Sequence, residues 1–218
     1  MQKWSKIQMR NNLLPIAKEG WSYVGYSLGF FALFSILGWG ILQFFSFAVV
    51  VFFLFVFRNP ERELPNFDAK SVLCPVDGEV ISIDTLTDNE YAYKVSIDTT
   101  YKDVGILRAP MNASLICVNK KHGTRLSLDN PIALQTNENV SIVFQDSNAN
   151  KIKVLHTVKQ SLCGVIVDVE QDKSIAQSAR YGIMVNGITH IYLPLNFRLS
   201  LILGEEITAS KSLVGYFS

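Results

Sequence analysis

Two patterns of apolar residues divide this chain. From residue 20 to residue 57 nothing is charged, and most side chains are Phe, Leu, Val, Ile, Tyr or Trp. Beyond Leu64-Pro65, apolar and polar residues alternate in short runs separated by turn formers. The first pattern predicts helix. As one rod it would be roughly 57 Å long at 1.5 Å per residue, against a hydrocarbon core of ~30 Å. Gly38-Trp39-Gly40 interrupts it near the middle. The pattern therefore predicts two short spans, about 23–37 and 41–57, forming a transmembrane helical hairpin. A hairpin that dips into one leaflet without crossing is the alternative left open. A secretory signal would have an apolar core of about 7–15 residues and a small-residue cleavage site, and the run does not fit that form.

The second pattern predicts strands at 79–83, 91–97, 114–118, 140–145, 151–157, 164–169, 188–193, 199–203 and 212–217. Ser174 to Arg180 reads as a single helical turn. Gly182 to Val185 and Ile188 to Leu193 flank Asn186-Gly187, a strong short-range β-hairpin signal, because both residues tolerate positive φ. Many short strands at this spacing indicate a mainly-β domain, sandwich- or barrel-like. No internal repeat or low-complexity tract is visible. The organisation expected is a basic N-terminus (1–19), a membrane hairpin (20–57) and a β-rich domain (58–218).

Charge adds orientation. Lys3, Lys6, Arg10 and Lys18 precede the apolar run, Arg58 and Arg62 follow it, and the Gly-Trp-Gly turn has no charge. Excess Lys and Arg stay on the cytoplasmic side. Both termini and the β-rich domain are therefore expected on the cytoplasmic face of the inner membrane. Pro60 stops the helix. Arg58 and Arg62 would lie at headgroup depth, each contributing about 1 kcal/mol near an anionic surface. The net charge of +1 argues against a nucleic-acid partner. Cys74, Cys117 and Cys163 are scattered and odd in number, which suggests no disulfide framework. His122, His156 and His190 show no paired metal-ligand spacing, so no metal is expected.

Several blocks carry a family resemblance. Phe57-Arg58-Asn59-Pro60-Glu61-Arg62 is similar to a Phe-Phe-Arg-Asp-Pro-x-Arg junction. Cys74-Pro75-Val76-Asp77-Gly78-Glu79-Val80 is similar to Ser-Pro-Ala-Asp-Gly-x-Val. Lys102-Asp103-Val104-Gly105-Ile106-Leu107-Arg108-Ala109-Pro110 is similar to Leu-Asp-Val-His-Val-Asn-Arg-Ala-Pro, and Asn137-Glu138-Asn139 to Asn-Glu-Arg. Arg180-Tyr181-Gly182 through Gly187 to Tyr192-Leu193-Pro194 matches a self-processing segment, and the tail through Gly204-Glu205-Glu206-Ile207 to Leu213-Val214-Gly215 matches its closing strands. Together these blocks resemble the short, membrane-anchored phosphatidylserine decarboxylases.

The resemblance implies a chemistry. In that family a serine after glycine attacks the preceding carbonyl. Elimination then leaves a pyruvoyl group at a new N-terminus, and this built-in cofactor takes up the electrons released with CO₂. Such processing needs a hydroxyl or thiol at the cleavage residue and groups that move protons. Ile188 stands at the serine position, and a gapless match places the equally inert Gly187 there. Gly105 replaces the family histidine. Thr189 is the only hydroxyl close by; processing there would need a register slip and would give a ketobutyryl group. Asp77 is retained from the family's Asp-His-Ser arrangement, and it also suits a plain Asp-Gly turn. Arg108 matches a retained arginine that could grip phosphate.

The expectation is thus a decarboxylase-related membrane protein of phospholipid (phosphatidylethanolamine) metabolism that neither cleaves itself nor decarboxylates. It would bind a phospholipid headgroup, with Arg58, Arg62 and Arg108 as candidates, or an active paralogue. No cofactor is expected, pyruvoyl arising only with self-processing. The alternatives are an active enzyme with a non-standard processing residue, and a structural membrane-anchored protein-binding β-domain.

Overall fold

The computed structural model describes residues 14–62, 70–87, 90–127 and 129–218. They fall into two compact units, Met1–Glu61 and Arg62–Ser218.

The first unit is a pair of helices, α1 (Trp21–Ile36) and α2 (Gly40–Val56), preceded by a 3-10 turn at Lys18–Gly20. Leu37, Gly38 and Trp39 turn the chain back, with Gly38 at φ 70°. Aromatic rings fasten the helices together: Tyr23 lies 5.1 Å from Phe57 and Phe31 5.8 Å from Phe47. The expectation of a transmembrane hairpin is overturned. The helices have 16 and 17 residues, or roughly 24 and 26 Å. Among the described residues no helix is long and apolar enough to cross a membrane. The reason is local. The turn at Leu37, Gly38 and Trp39 takes residues from the middle of a charge-free run that, once divided, has none to spare.

The second unit is mainly β. Its strands are β1 (Ser71–Leu73), β2 (Gly78–Thr85), β3 (Tyr93–Thr99), β4 (Ile106–Arg108), β5 (Ala113–Lys121), β6 (Asn139–Gln145), β7 (Lys151–Val158), β8 (Ile166–Val167), β9 (Ser174–Ile175), β10 (Arg180–Ile183), β11 (Gly187–Leu193), β12 (Phe197–Leu199), β13 (Glu206–Ile207) and β14 (Leu213–Phe217). One short helix, α3 (Ala133–Thr136), interrupts them. The strands form an eight-stranded sheet, β13-β2-β3-β11-β7-β6-β5-β9, and two three-stranded sheets, β1-β14-β12 and β4-β10-β8. Alternation places one side of each central strand inward. Val80, Ile97, Ile142, Phe144, Ile152, Val154 and Ile191 meet there with almost no exposure.

Two sequence expectations fail in this unit. Asn186-Gly187 makes no hairpin: β10 pairs with β4 and β8, β11 pairs with β3 and β7, and the chain crosses from one sheet to another between them. Neither Asn186 nor Gly187 has positive φ. The segment from Ser174 is no helical turn either, but strand β9 followed by a turn.

A repeat invisible in the sequence also emerges. The eight-stranded order matches from both ends: β13 with β9, β2 with β5, β3 with β6, β11 with β7. The small sheets match likewise, β1-β14-β12 with β4-β10-β8. The hydrogen bonds agree. Leu73 N–H bonds Pro110 O at 2.8 Å, and its counterpart Arg108 N–H bonds Pro75 O at 2.9 Å. Val80 N–H bonds Glu205 O, and Leu115 N–H bonds Lys173 O, both at 3.0 Å. Register irregularities fall at equivalent points, after Val80 and after Leu115. The unit is thus two copies of one motif about a pseudo-twofold axis. One copy, β4 to β10, is continuous; it is inserted between β3 and β11 of the other. Ser178 and Ser210 are equivalent, both at left-handed φ (64° and 65°), and their hydroxyls meet at 2.5 Å on the axis.

Candidate functional site

Asp77 occupies the turn between β1 and β2. Its carboxylate accepts both Arg62 guanidinium nitrogens, each at 2.5 Å, and the Ala209 N–H at 2.8 Å. Its main-chain oxygen accepts the Thr99 hydroxyl at 2.7 Å, and Thr99 pairs with Gly187 across the β3–β11 ladder. The Arg62 and Asp77 side chains are only 7% and 12% exposed. A polar cleft of about 220 Å³ opens beside Asp77, lined also by Lys102, Asp103, Glu206 and Thr208.

Gly105 and Gly187 both abut Met184, which is fully buried. A Cβ on Gly105 would stand 3.0 Å from Met184 O and 3.1 Å from Val185 Cα. Gly105 O accepts the Met184 N–H at 2.7 Å. An imidazole at 105 therefore needs that backbone to move. A Cβ on Gly187 would stand 2.5 Å from Thr157 O and 2.6 Å from Met184 Sδ, so a serine does not fit there. Ile188, half-buried, pairs with Asp98 and Thr157 in the ladders.

Thr189 is fully buried in mid-strand. Its Oγ1 lies 2.8 Å from His156 Nδ1, and His156 Nε2 lies 2.7 Å from the Tyr181 hydroxyl. Burial holds His156 down to about 3, so its ring is neutral, and burial raises the Tyr181 hydroxyl. The equivalent positions in the other repeat are Leu193, Ile152 and Val214, all buried hydrocarbon. His190 turns to the opposite side of β11, its Nδ1 2.9 Å from Ser96 Oγ. Desolvation and then Lys94 hold it down to about 4. Neither histidine replaces the one missing at 105: each is committed to a neighbouring strand.

The three candidate headgroup arginines are placed apart. Arg62 is held by Asp77. Arg108 is buried on β4 opposite Arg180, its guanidinium donating to Ser178 O at 3.3 Å. Arg58 belongs to the helical unit, 4.1 Å above the Phe55 ring and donating to Phe55 O at 3.0 Å. Among the described residues no group of His, Cys, Asp or Glu could hold a metal ion. Sequence reasoning missed the Arg62–Asp77 pair and the His156 network, since both join residues distant in sequence.

Comparison with known proteins agrees with the scaffold. The sequence model described as phosphatidylserine decarboxylase matches residues 49–215. The chain is similar to a protein named phosphatidylserine decarboxylase proenzyme from Geotalea daltonii, 29% identical over 211 residues, covering 95% of this chain and 99% of that one. A proenzyme of the same name from Geobacter sp. (strain M21) is 29% identical over 218 residues, with the same coverage. One from Burkholderia lata is 25% identical over 203 residues, covering 91% and 94%.

Proposed function

Since the chain belongs to the phosphatidylserine decarboxylase family, we propose that it is a non-cleaving, inactive member of it that serves phospholipid metabolism by binding. The family makes its pyruvoyl group from its own backbone, and the residues here do not fit that route. Ile188 carries no hydroxyl, Gly187 admits none, and Gly105 can move no proton. The observation that carries the reading is the packing around Met184: a side chain at 187 collides with Thr157 O and Met184 Sδ, and one at 105 fits only if the Met184–Val185 backbone gives way. The partner is a phospholipid headgroup or an active relative of this chain. A lipid surface suits the helical unit, whose apolar side chains face outward without crossing length: Tyr26 is 75% exposed, Ile41 77% and Phe44 69%. Of the three arginines, Arg58 at the base of that unit fits a headgroup best.

Intact mass spectrometry of the purified full chain tests the inactive reading. A single unbroken 218-residue species is expected. Two fragments divided near residue 187 would overturn it.

A second reading, an active enzyme processed at Thr189, has one observation in its favour. His156 Nδ1 stands at base-to-nucleophile distance from Thr189 Oγ1. Against it, Thr189 is fully buried and its strand is paired on both sides. An α-keto N-terminus at residue 189 would establish this reading.

A further inference from the structure

The repeat supplies an internal control for Asp77. Its counterpart is Asn112. Both residues follow a Pro-x pair at the same point of the motif, and each caps the same turn of its own copy. Asp77 Oδ1 accepts the Ala209 N–H at 2.8 Å; Asn112 Oδ1 accepts the Gln177 N–H at 2.9 Å. The turns they cap each carry one of the two left-handed serines, Ser210 and Ser178. A neutral amide thus does the capping work as well as a carboxylate. The negative charge of Asp77 needs another explanation.

Position supplies it. Asn112 is exposed to solvent, whereas Asp77 is buried with a guanidinium against it. A carboxylate moves out of water at considerable cost unless a well-placed cation meets it. Here the cation is held in the two-pronged geometry that suits arginine, and the Arg62 guanidinium also donates to Ala209 O at 2.8 Å. Arg62 is the first residue of the β-rich unit. We infer that Asp77 is charged in order to receive Arg62. The pair is a docking contact that pins the chain where it enters the β-rich unit, and the carboxylate transfers no proton. Only the last clause rests on the inactive reading above.

A double-mutant cycle in the full chain tests it, read by urea unfolding of the β-rich unit. Asp77→Asn copies the side chain of the other repeat. If Asp77 only caps its turn, this change is silent. The docking role predicts a loss on the order of a hundredfold in the unfolding equilibrium, because one partner of a buried pair remains unmatched. Arg62→Met should lose a similar amount, and Arg62→Lys, which keeps charge but not the fork, an intermediate one. The double variant Arg62→Met with Asp77→Asn should lose no more than either single change. A silent Asp77→Asn, or additive single effects, would overturn the inference. Intact mass of Asp77→Asn separates the two readings. Should the natural chain prove cleaved and this variant uncleaved, Asp77 is a processing residue and both readings fail. Should both chains be cleaved, only the inactive reading fails.

Discussion

His156 shows how one residue can report on the whole core. Its neutral ring bridges two hydroxyls where the matching positions of the other repeat hold Leu193, Ile152 and Val214. The fold therefore tolerates hydrocarbon in this environment. The cost of the polar version appears with acid. The unfolded ring takes up a proton below about pH 6.5, while the folded one resists until about 3. A depressed value means that its stabilising effect is complete above pH 6.5 and lost as pH falls toward 3. Between pH 6.5 and 5 the loss is up to about 2 kcal/mol. Urea midpoints at pH 7 and pH 5 would show it. The triple variant His156→Leu, Thr189→Ile, Tyr181→Phe should flatten that part of the pH dependence; an unchanged slope would dispose of the assignment. The sequence revealed His156 only as a strand residue, because its partners are 33 and 25 positions away.

At the scale of elements, local pattern and non-local pairing decided different things. Alternation located most long strands to within a few residues, since a half-buried strand writes its period directly into the chain. It missed β1, β4 and β13, which are two or three residues long. It also misjudged Asn186-Gly187, where turn propensity was overridden by the two partners that β11 finds in β3 and β7. The apolar run gave helices, but composition alone did not say how many residues the turn would consume. For these helices the expected behaviour is adsorption to lipid. Replacing the exposed Phe44 and Phe45 of α2 by Asp should strongly reduce co-flotation of the full chain with phosphatidylglycerol-containing vesicles, since each change removes a large apolar group from the outward face. Undiminished flotation would rule the helical unit out as the lipid contact. The residue types at Gly105, Gly187 and Ile188 were legible; the packing of Gly105 and Gly187 against Met184 was not, because it joins the chain before β4 to the crossing between β10 and β11.

For the whole molecule, the nested repeat sets the order in which the chain can assemble. The inserted copy, residues 106–183, holds all its own strands in one stretch. The host copy is divided: β3 ends at Thr99 and its partner β11 begins at Gly187. Closing that long gap costs more entropy than closing the short loops inside the inserted copy. Pulsed hydrogen exchange should therefore show amides of the β6–β7 ladder protected before those of β3–β11; simultaneous protection would contradict this. During synthesis the first three strands must wait, unpaired on one side, until nearly the last residues have emerged. A nascent chain of this protein thus exposes an open sheet edge while the whole inserted copy is being made. Shielding that edge until translation ends becomes a task for chaperones, one imposed by how the second copy was spliced into the first.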